Sequence, residues 1–118
     1  MQLTRDITGL NFIVTGAARG IGLAISTLFY SLGARVSGWD LDVSGMKESQ
    51  IFSDIQKVDV TNEIATQNSF AKSLHLLGDI DGIIANAGIN GPTKPLWEYS
   101  VSEWNEVMNV DLTGVFLS

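Results

Sequence analysis

The run Thr15-Gly16-Ala17-Ala18-Arg19-Gly20-Ile21-Gly22 places three glycines and an arginine directly after the apolar segment Asn11 to Val14. Glycine lets a backbone come close to a pyrophosphate, and a helix starting at such a turn adds unpaired N–H groups and a partial positive charge. A glycine-rich turn alone is weak evidence; its flanks and an acidic residue about twenty positions further on make it specific. There the chain reaches Asp40, whose carboxylate can accept hydrogen bonds from the two hydroxyls of an adenosine ribose. Turn and acid together point to a dinucleotide cradle; the alternative is a glycine-rich turn in a strand–helix–strand unit with no ligand.

The elements that must position these groups can be read from periodicity. From Ile21 to Leu32, the apolar residues Ile21, Ala24, Ile25, Leu28, Phe29 and Leu32 recur at helical spacing, and Gly33 offers a left-handed cap. Arg35 to Trp39 then reads as a strand ending in Asp40. Ser53 to Val60 reads as a third strand, and Asn62 to Leu77 as a helix with Phe70, Ala71, Leu74 and Leu77 inward and Gly78 as its stop. A fourth strand is expected over Asp81 to Asn86, followed by a loop from Ala87 to Tyr99 rich in Gly, Asn and Pro. Ser100-Val101-Ser102-Glu103 has the form of a capping box opening a last helix. Alternating strands and helices of this kind make an α/β protein with a parallel sheet.

Composition narrows the function classes. At 118 residues the chain suits one domain, here residues 1–118, able to bury about two thirds of its unfolded surface. It has no cysteine, which excludes a disulfide framework and thiolate metal sites, and no metal is expected. Met1 to Gly9 is charged without an apolar run, and no stretch approaches membrane-spanning length, so a cytoplasmic, soluble protein is the default expectation. A net charge of −6 argues against sequence-independent nucleic-acid binding. An anionic dinucleotide remains compatible, because its recognition is local, through backbone amides and Arg19.

Four motifs in order give the chain a resemblance to the N-terminal half of the short-chain dehydrogenase/reductase family, from about Gly9 to Ser118. Thr15 to Gly22 matches its Thr-Gly-x-x-x-Gly-x-Gly fingerprint, and Asp59-Val60 its Asp-Val pair. Ala85-Asn86-Ala87-Gly88 stands for its Asn-Asn-Ala-Gly motif, and Asn109-Val110-Asp111-Leu112 for its Asn-Val-Asn-Leu segment. The resemblance implies a Rossmann-type doubly wound sheet, here partial, with strand order 3-2-1-4. It also implies that Gly16, Arg19, Gly20, Ile21 and Gly22 line the pyrophosphate, with Asp40 and Leu41 at the adenosine ribose. Asp59 and Val60 would face the adenine, and Asn86, Ala87, Gly88 and Val110 would pack along the cofactor. NAD is expected over NADP, because a 2′-phosphate beside Asp40 would meet like charge, although Arg19 pulls the other way.

The family's chemistry needs a Tyr-x-x-x-Lys pair, and neither Tyr30 nor Tyr99 has a lysine one helical turn on. Tyr30 reads as a surface residue of the first helix and Tyr99 as loop packing or a substrate rim. The implied activity, hydride transfer between nicotinamide and a secondary alcohol or ketone, therefore belongs to a longer protein, with this chain alone inactive. Aligning on Leu112 to Phe116 puts Asp111 where the family has its catalytic asparagine, about 200° around the helix from Asn109. Trp104, Val107, Met108, Asp111, Leu112 and Val115 would then share an inward face. Asp111 is either a modified proton relay or an acid that merely hydrogen-bonds backbone or water.

The remaining candidates are weaker. His75 reads as a solvated residue on its helix, and Asp42, Glu48, Glu98 and Glu106 as solvated surface. Trp97 and Trp104 could line a substrate mouth, packing being the simpler role for Trp104. Without a fifth strand, Ile80, Ile83 and Ile84 would form an exposed apolar edge, and the last helix runs to Ser118 without a stop signal. Both features suit a fragment cut within the helix after strand four. The alternative is a short protein that binds or senses a nucleotide without chemistry. By resemblance the partners are a small-molecule substrate and, in the full-length protein, further copies of itself.

Overall fold

The computed structural model describes residues 5–118, so the reading of Met1 to Gly9 as free of a leader falls partly outside it. Four parallel strands form one sheet: β1 (Asn11–Thr15), β2 (Arg35–Asp40), β3 (Asp54–Lys57) and β4 (Gly82–Ile84), in the order β3-β2-β1-β4. This is the expected partial doubly wound arrangement. Thr15 stands opposite Trp39 in the register, and Val14 opposite Ile84, which gathers the carboxyl ends of β1, β2 and β4 at the point where the strand order reverses. No helix among the described residues is long and apolar enough to cross a membrane.

Both faces of the sheet are covered, which is why β1 reads as a continuous apolar run and not as an alternation. On one side Val14, Ala17, Val36 and Met46 are buried with Ile25 and Phe29 of α1 (Gly20–Ser31) against them. On the other, Ile13, Trp39 and Val58 are buried, on the side of α2 (Glu63–Leu77). Gly33 takes φ +87° just past α1, and Gly78 takes φ +83° to end α2, as left-handed caps do. The Asn62 side chain caps α2 by accepting from the Ala65 N–H.

The inward faces of both helices differ from the apolar stripes in the sequence. In α1, Ile21 is 73% exposed, and Ala24, Leu28 and Leu32 are also exposed; Gly22, Ile25, Ser26 and Phe29 turn inward. Gly22 sets this phase, because a Cβ there would be driven into the Gly16 carbonyl, so only glycine allows the close approach of helix to turn. In α2, Phe70, Ala71 and Leu74 are exposed, and Thr66, Ser69, Ser73 and Leu77 form the buried row. The cause is a buried carboxylate on β3, Asp54, which takes a hydrogen bond from the Ser73 hydroxyl at 2.7 Å.

β3 and β4 are shorter than expected. Beyond Lys57 one further rung joins the Val58 N–H to the Asp40 carbonyl before the chain turns at Asp59. β4 stops at Ile84, and Ile83 lies exposed on its open edge with Ile80 and Ile84 half-buried.

The last helical region is α3 (Val101–Met108), a π-helical stretch Asn109–Thr113, and α4 (Gly114–Leu117). Its capping box forms as expected: Ser100 Oγ accepts from the Glu103 N–H and a Glu103 oxygen accepts from the Ser100 N–H. The expected inward face does not form. Trp104, Asp111, Leu112 and Val115 are exposed, Val107 and Met108 are half-buried, and Gly114 is the buried residue, packed on Val60. The π segment has a wider turn than an α-helix, so it shifts the phase and carries Asp111 and Val115 off the stripe.

Candidate cofactor site

The glycine turn joins β1 to α1 and is held from β2. The Ala17 N–H donates to the Trp39 carbonyl at 3.1 Å, and the Ala18 N–H to Asp40 Oδ2 at 3.0 Å. Gly16 is needed twice over: its φ is +66°, and a Cβ would lie 2.9 Å from Asn86 Nδ2 and 3.0 Å from Ala87 Cα. Gly20 also has a left-handed φ, +59°, but a Cβ there would meet open space. Its freedom from a side chain keeps the turn's outer surface clear.

Arg19 is extended and exposed at the N-cap of α1 and makes no side-chain cap, and no acidic residue occupies the first turn. The first N–H groups of α1, at Gly20, Ile21 and Gly22, therefore keep their capacity for an anion. Half-buried Asp40 accepts one backbone N–H on each oxygen, from Ala18 and, at 3.1 Å, from Asp42. A carboxylate has about four lone-pair sites, so it retains room for two hydroxyl donors. Uncapped helix start and remaining acceptor capacity fit the diphosphate and ribose of a dinucleotide.

Leu41, next in chain, is exposed. Asp59 is exposed at the end of β3, with its Oδ1 accepting the Thr61 N–H and hydroxyl at 2.9 and 2.6 Å, and Val60 is buried beneath Gly114. Asp42 is similarly closed on Ser44, whose hydroxyl and then N–H hold its carboxyl below the usual range, with weaker contributions from Lys57 and Arg19.

Past β4, Asn86 ties its strand to the turn. Its Nδ2 donates to the Thr15 carbonyl at 3.1 Å and to the Gly16 carbonyl at 3.4 Å. The Asn86 and Ala87 N–H groups both donate to Thr15 Oγ1 at 3.0 Å. Thr15 is not among the expected site residues, yet its hydroxyl replaces a ladder rung and ends β4. Its place at the head of the fingerprint, as a polar residue closing a buried strand, is the available signal. Asp111 is brought to this segment: its Oδ1 accepts the Ile89 N–H at 2.8 Å beside Gly88. Val110 lies half-buried in the π segment.

A cavity of about 280 Å³ lies between the loop and α3, with Asn90, Lys94, Leu96, Tyr99 and Trp104 on its walls. Trp104 faces it, whereas Trp97 is 85% exposed and is not one of its walls. Lys94 pairs with Glu103 at 2.8 Å and lies 5.6 Å from the Tyr99 ring centre, and the Tyr99 hydroxyl donates to the Pro92 carbonyl. Tyr30 and His75 are exposed on their helices, His75 in the last turn of α2.

A parallel sheet with a glycine turn at its switch point defines a Rossmann-type nucleotide fold. The chain belongs to the short chain dehydrogenase family, whose model matches residues 11–118. It is 34% identical over 107 residues to the 2-dehydro-3-deoxy-L-rhamnonate dehydrogenase (NAD(+)) of a Sphingomonas species, covering 88% of this chain and 43% of that protein. It is 35% identical over 111 residues to the cis-4-hydroxycyclohexanecarboxylate dehydrogenase of Sinomonas cyclohexanicum, covering 89% and 45%. A crystal structure of NAD+-bound xylitol dehydrogenase superposes with a TM-score of 0.89 at 25% identity, over 96% of this chain and 46% of that one. The chain thus spans somewhat under half the length of the curated relatives it matches.

Proposed function

We propose that this chain is the cofactor-binding half of an NAD-dependent oxidoreductase that moves a hydride between nicotinamide and a secondary alcohol or ketone. The observation that carries the reading is the uncapped first turn of α1 beside Asp40, whose carboxylate is fastened to the same turn through the Ala18 N–H. Gly16, Arg19, Gly20, Ile21 and Gly22 bind the pyrophosphate, and Asp40 and Leu41 hold the adenosine ribose. Asp59 and Val60 border the adenine; Asn86, Ala87, Gly88 and Val110 flank the cofactor past β4. The bound dinucleotide supplies the hydride acceptor or donor. The chain's own residues orient it, and the tyrosine–lysine pair that exchanges the substrate proton belongs to the rest of the protein.

Asp111 is best read as an anchor. Its carboxylate accepts from the Ile89 N–H, which fixes the backbone after Gly88, and this favours positioning over a proton relay. NAD is preferred because a 2′-phosphate would stand against the Asp40 carboxylate, and two relatives that carry NAD+ in their descriptions point the same way. The substrate is a small alcohol or ketone, and the full-length protein acts in the cytoplasm as a homo-oligomer. Titrating the full-length protein with NADH and NADPH tests the reading. NADH should bind at least tenfold more tightly, roughly the value of hydrogen bonds to a charged acceptor; tighter NADPH binding would overturn it.

A further inference from the structure

We propose that Asp54, Ser37 and Ser73 are positioning residues for the cofactor site, acting through Trp39 to set the preference for a ribose hydroxyl over a 2′-phosphate. The inference rests on the role proposed above for Asp40. Its basis is a buried polar cluster between the sheet and α2 that the rest of the site does not use.

The Ser37 and Ser73 hydroxyls each lie 2.7 Å from the same oxygen of Asp54, and Gln56 donates to the other at 2.9 Å. The Trp39 indole N–H reaches Ser37 Oγ at 3.1 Å and Ser73 Oγ at 3.0 Å. Each serine has one hydroxyl proton. With Asp54 as a pure acceptor, both protons point at the carboxylate, and both oxygens turn their lone pairs to the indole. The 2.9 Å contact between the serine oxygens then has no proton of its own; it is imposed by the carboxylate on one side and the indole on the other. The cluster therefore has one self-consistent arrangement, with the indole fixed in it.

Such an arrangement is costly for stability alone. Asp54, Ser37 and Ser73 are all buried, and the only ion pair among the described residues is Lys94–Glu103, so Asp54 has no cation to offset its desolvation. Apolar residues of similar volume would fill the same space. What the cluster adds is orientation. Trp39 is 1% exposed and points toward α2; Asp40, the next residue on the strand, points to the opposite face and the glycine turn. Pinning the indole fixes the rotation of β2 about its axis at its last two residues. The Trp39 carbonyl then holds the Ala17 N–H and the Asp40 carboxylate holds the Ala18 N–H, so the turn's two anchors lie on the pinned residue and on its immediate neighbour.

The test uses the full-length protein and three variants: Trp39→Phe, which removes the indole N–H and keeps a buried ring; Ser73→Ala; and Ile13→Val, a core change beside Trp39 that removes none of the cluster's hydrogen bonds. The dissociation constants of NADH and NADPH are measured well below each variant's unfolding midpoint. Trp39→Phe and Ser73→Ala should weaken NADH about three- to tenfold, the scale of one hydrogen bond, with NADPH nearly unchanged. The ratio between the cofactors therefore shrinks in these two and holds in Ile13→Val. A constant ratio in Trp39→Phe and in Ser73→Ala, or an equal shrinkage in Ile13→Val, overturns the proposal and leaves the cofactor reading intact. Failure of the wild type to bind NADH, or to prefer it, overturns the cofactor reading itself.

Discussion

The region from β1 to β3 and the region after β4 are built to different standards. In the first, the strands are buried on both faces, the turn is tied to β2 by hydrogen bonds to the Trp39 carbonyl and the Asp40 carboxylate, and the polar groups beneath it form a closed set. In the second, β4 has three residues, its outer edge is open, and α3 to α4 leave Trp104, Leu112 and Phe116 exposed, Phe116 by 84%. The difference divides the site as well. The part proposed to take the adenosine half of a dinucleotide is organised by contacts within this segment. The part flanking β4 is held by a few side-chain bonds, from Thr15, Asn86 and Asp111.

The largest break in that comparison comes from the turn itself. Gly22→Ala drives a methyl group into the Gly16 carbonyl, with Asn86 Nδ2 2.7 Å away as a second obstacle. A loss of about 3 kcal/mol of stability is expected, with no measurable NADH binding. Gly20→Ala is the informative contrast. Its cost is the left-handed φ alone, about 1–2 kcal/mol, because no protein atom stands in the way. If Gly20→Ala weakens NADH by more than its stability loss explains, the open surface above Gly20 is where the pyrophosphate rests. Equal effects at the two positions, read by thermal unfolding and NADH titration, would remove the distinction between packing glycine and ligand glycine.

On the weaker side of the comparison, Asp111 gives a middle-sized effect. Asp111→Ala frees the Ile89 N–H at an exposed site, where water takes its place, so stability should fall by only about 1 kcal/mol. In the full-length protein kcat/KM should fall about three- to tenfold, through a looser Gly88–Ile89 backbone. Asp111→Asn keeps an acceptor oxygen and should remain close to wild type. Should Asn lose as much activity as Ala, the anchoring role fails and a proton relay returns.

The same division governs what can be read from residues alone. The glycine turn, the glycines that end α1 and α2 and the capping box at Ser100 are legible because each is a local pattern, whereas the strand order, which joins segments far apart in the chain, comes only with the family resemblance. The inward faces are not legible. In α1 the phase is set by a residue with no side chain, Gly22, and in α2 by hydroxyls answering a carboxylate on another strand, Asp54. A count of apolar residues is blind to both. In the last helix the π segment moves Asp111 off the stripe that a regular period assigns to it. Thr15 is hidden for a related reason: its hydroxyl receives two N–H groups from residues more than seventy positions away.

The smallest expected effect tests whether the outer region has any fixed order of its own. Glu103 joins two elements there. Its side chain accepts from Lys94 on the loop, and also from the Ser100 N–H at the start of α3; in that order these contacts hold its carboxyl below the usual glutamate range, against a small opposing effect of burial. Because the folded value is depressed, the contribution is fully present above the pKa of the unfolded chain. It disappears as the pH falls through the ordinary glutamate range to the lower folded value. The Glu103 side chain is 31% exposed and its pairing is screened by solvent, so the effect on global stability should be slight and should shrink with added salt. Local readouts are better placed to see it: acidification should lower the amide protection factors at Ser100 and Glu103, taken against the intrinsic exchange rate at each pH, before it touches those of β1 or β2. In Glu103→Gln the amide keeps an acceptor for the Ser100 N–H but loses the charge that draws Lys94, so the loop should loosen at neutral pH and the acid step should vanish. If exchange at the two amides is already fast at neutral pH in the wild type, the capping box does not order this region. The contrast with the glycine turn would then be one between a fixed half and a fluid one.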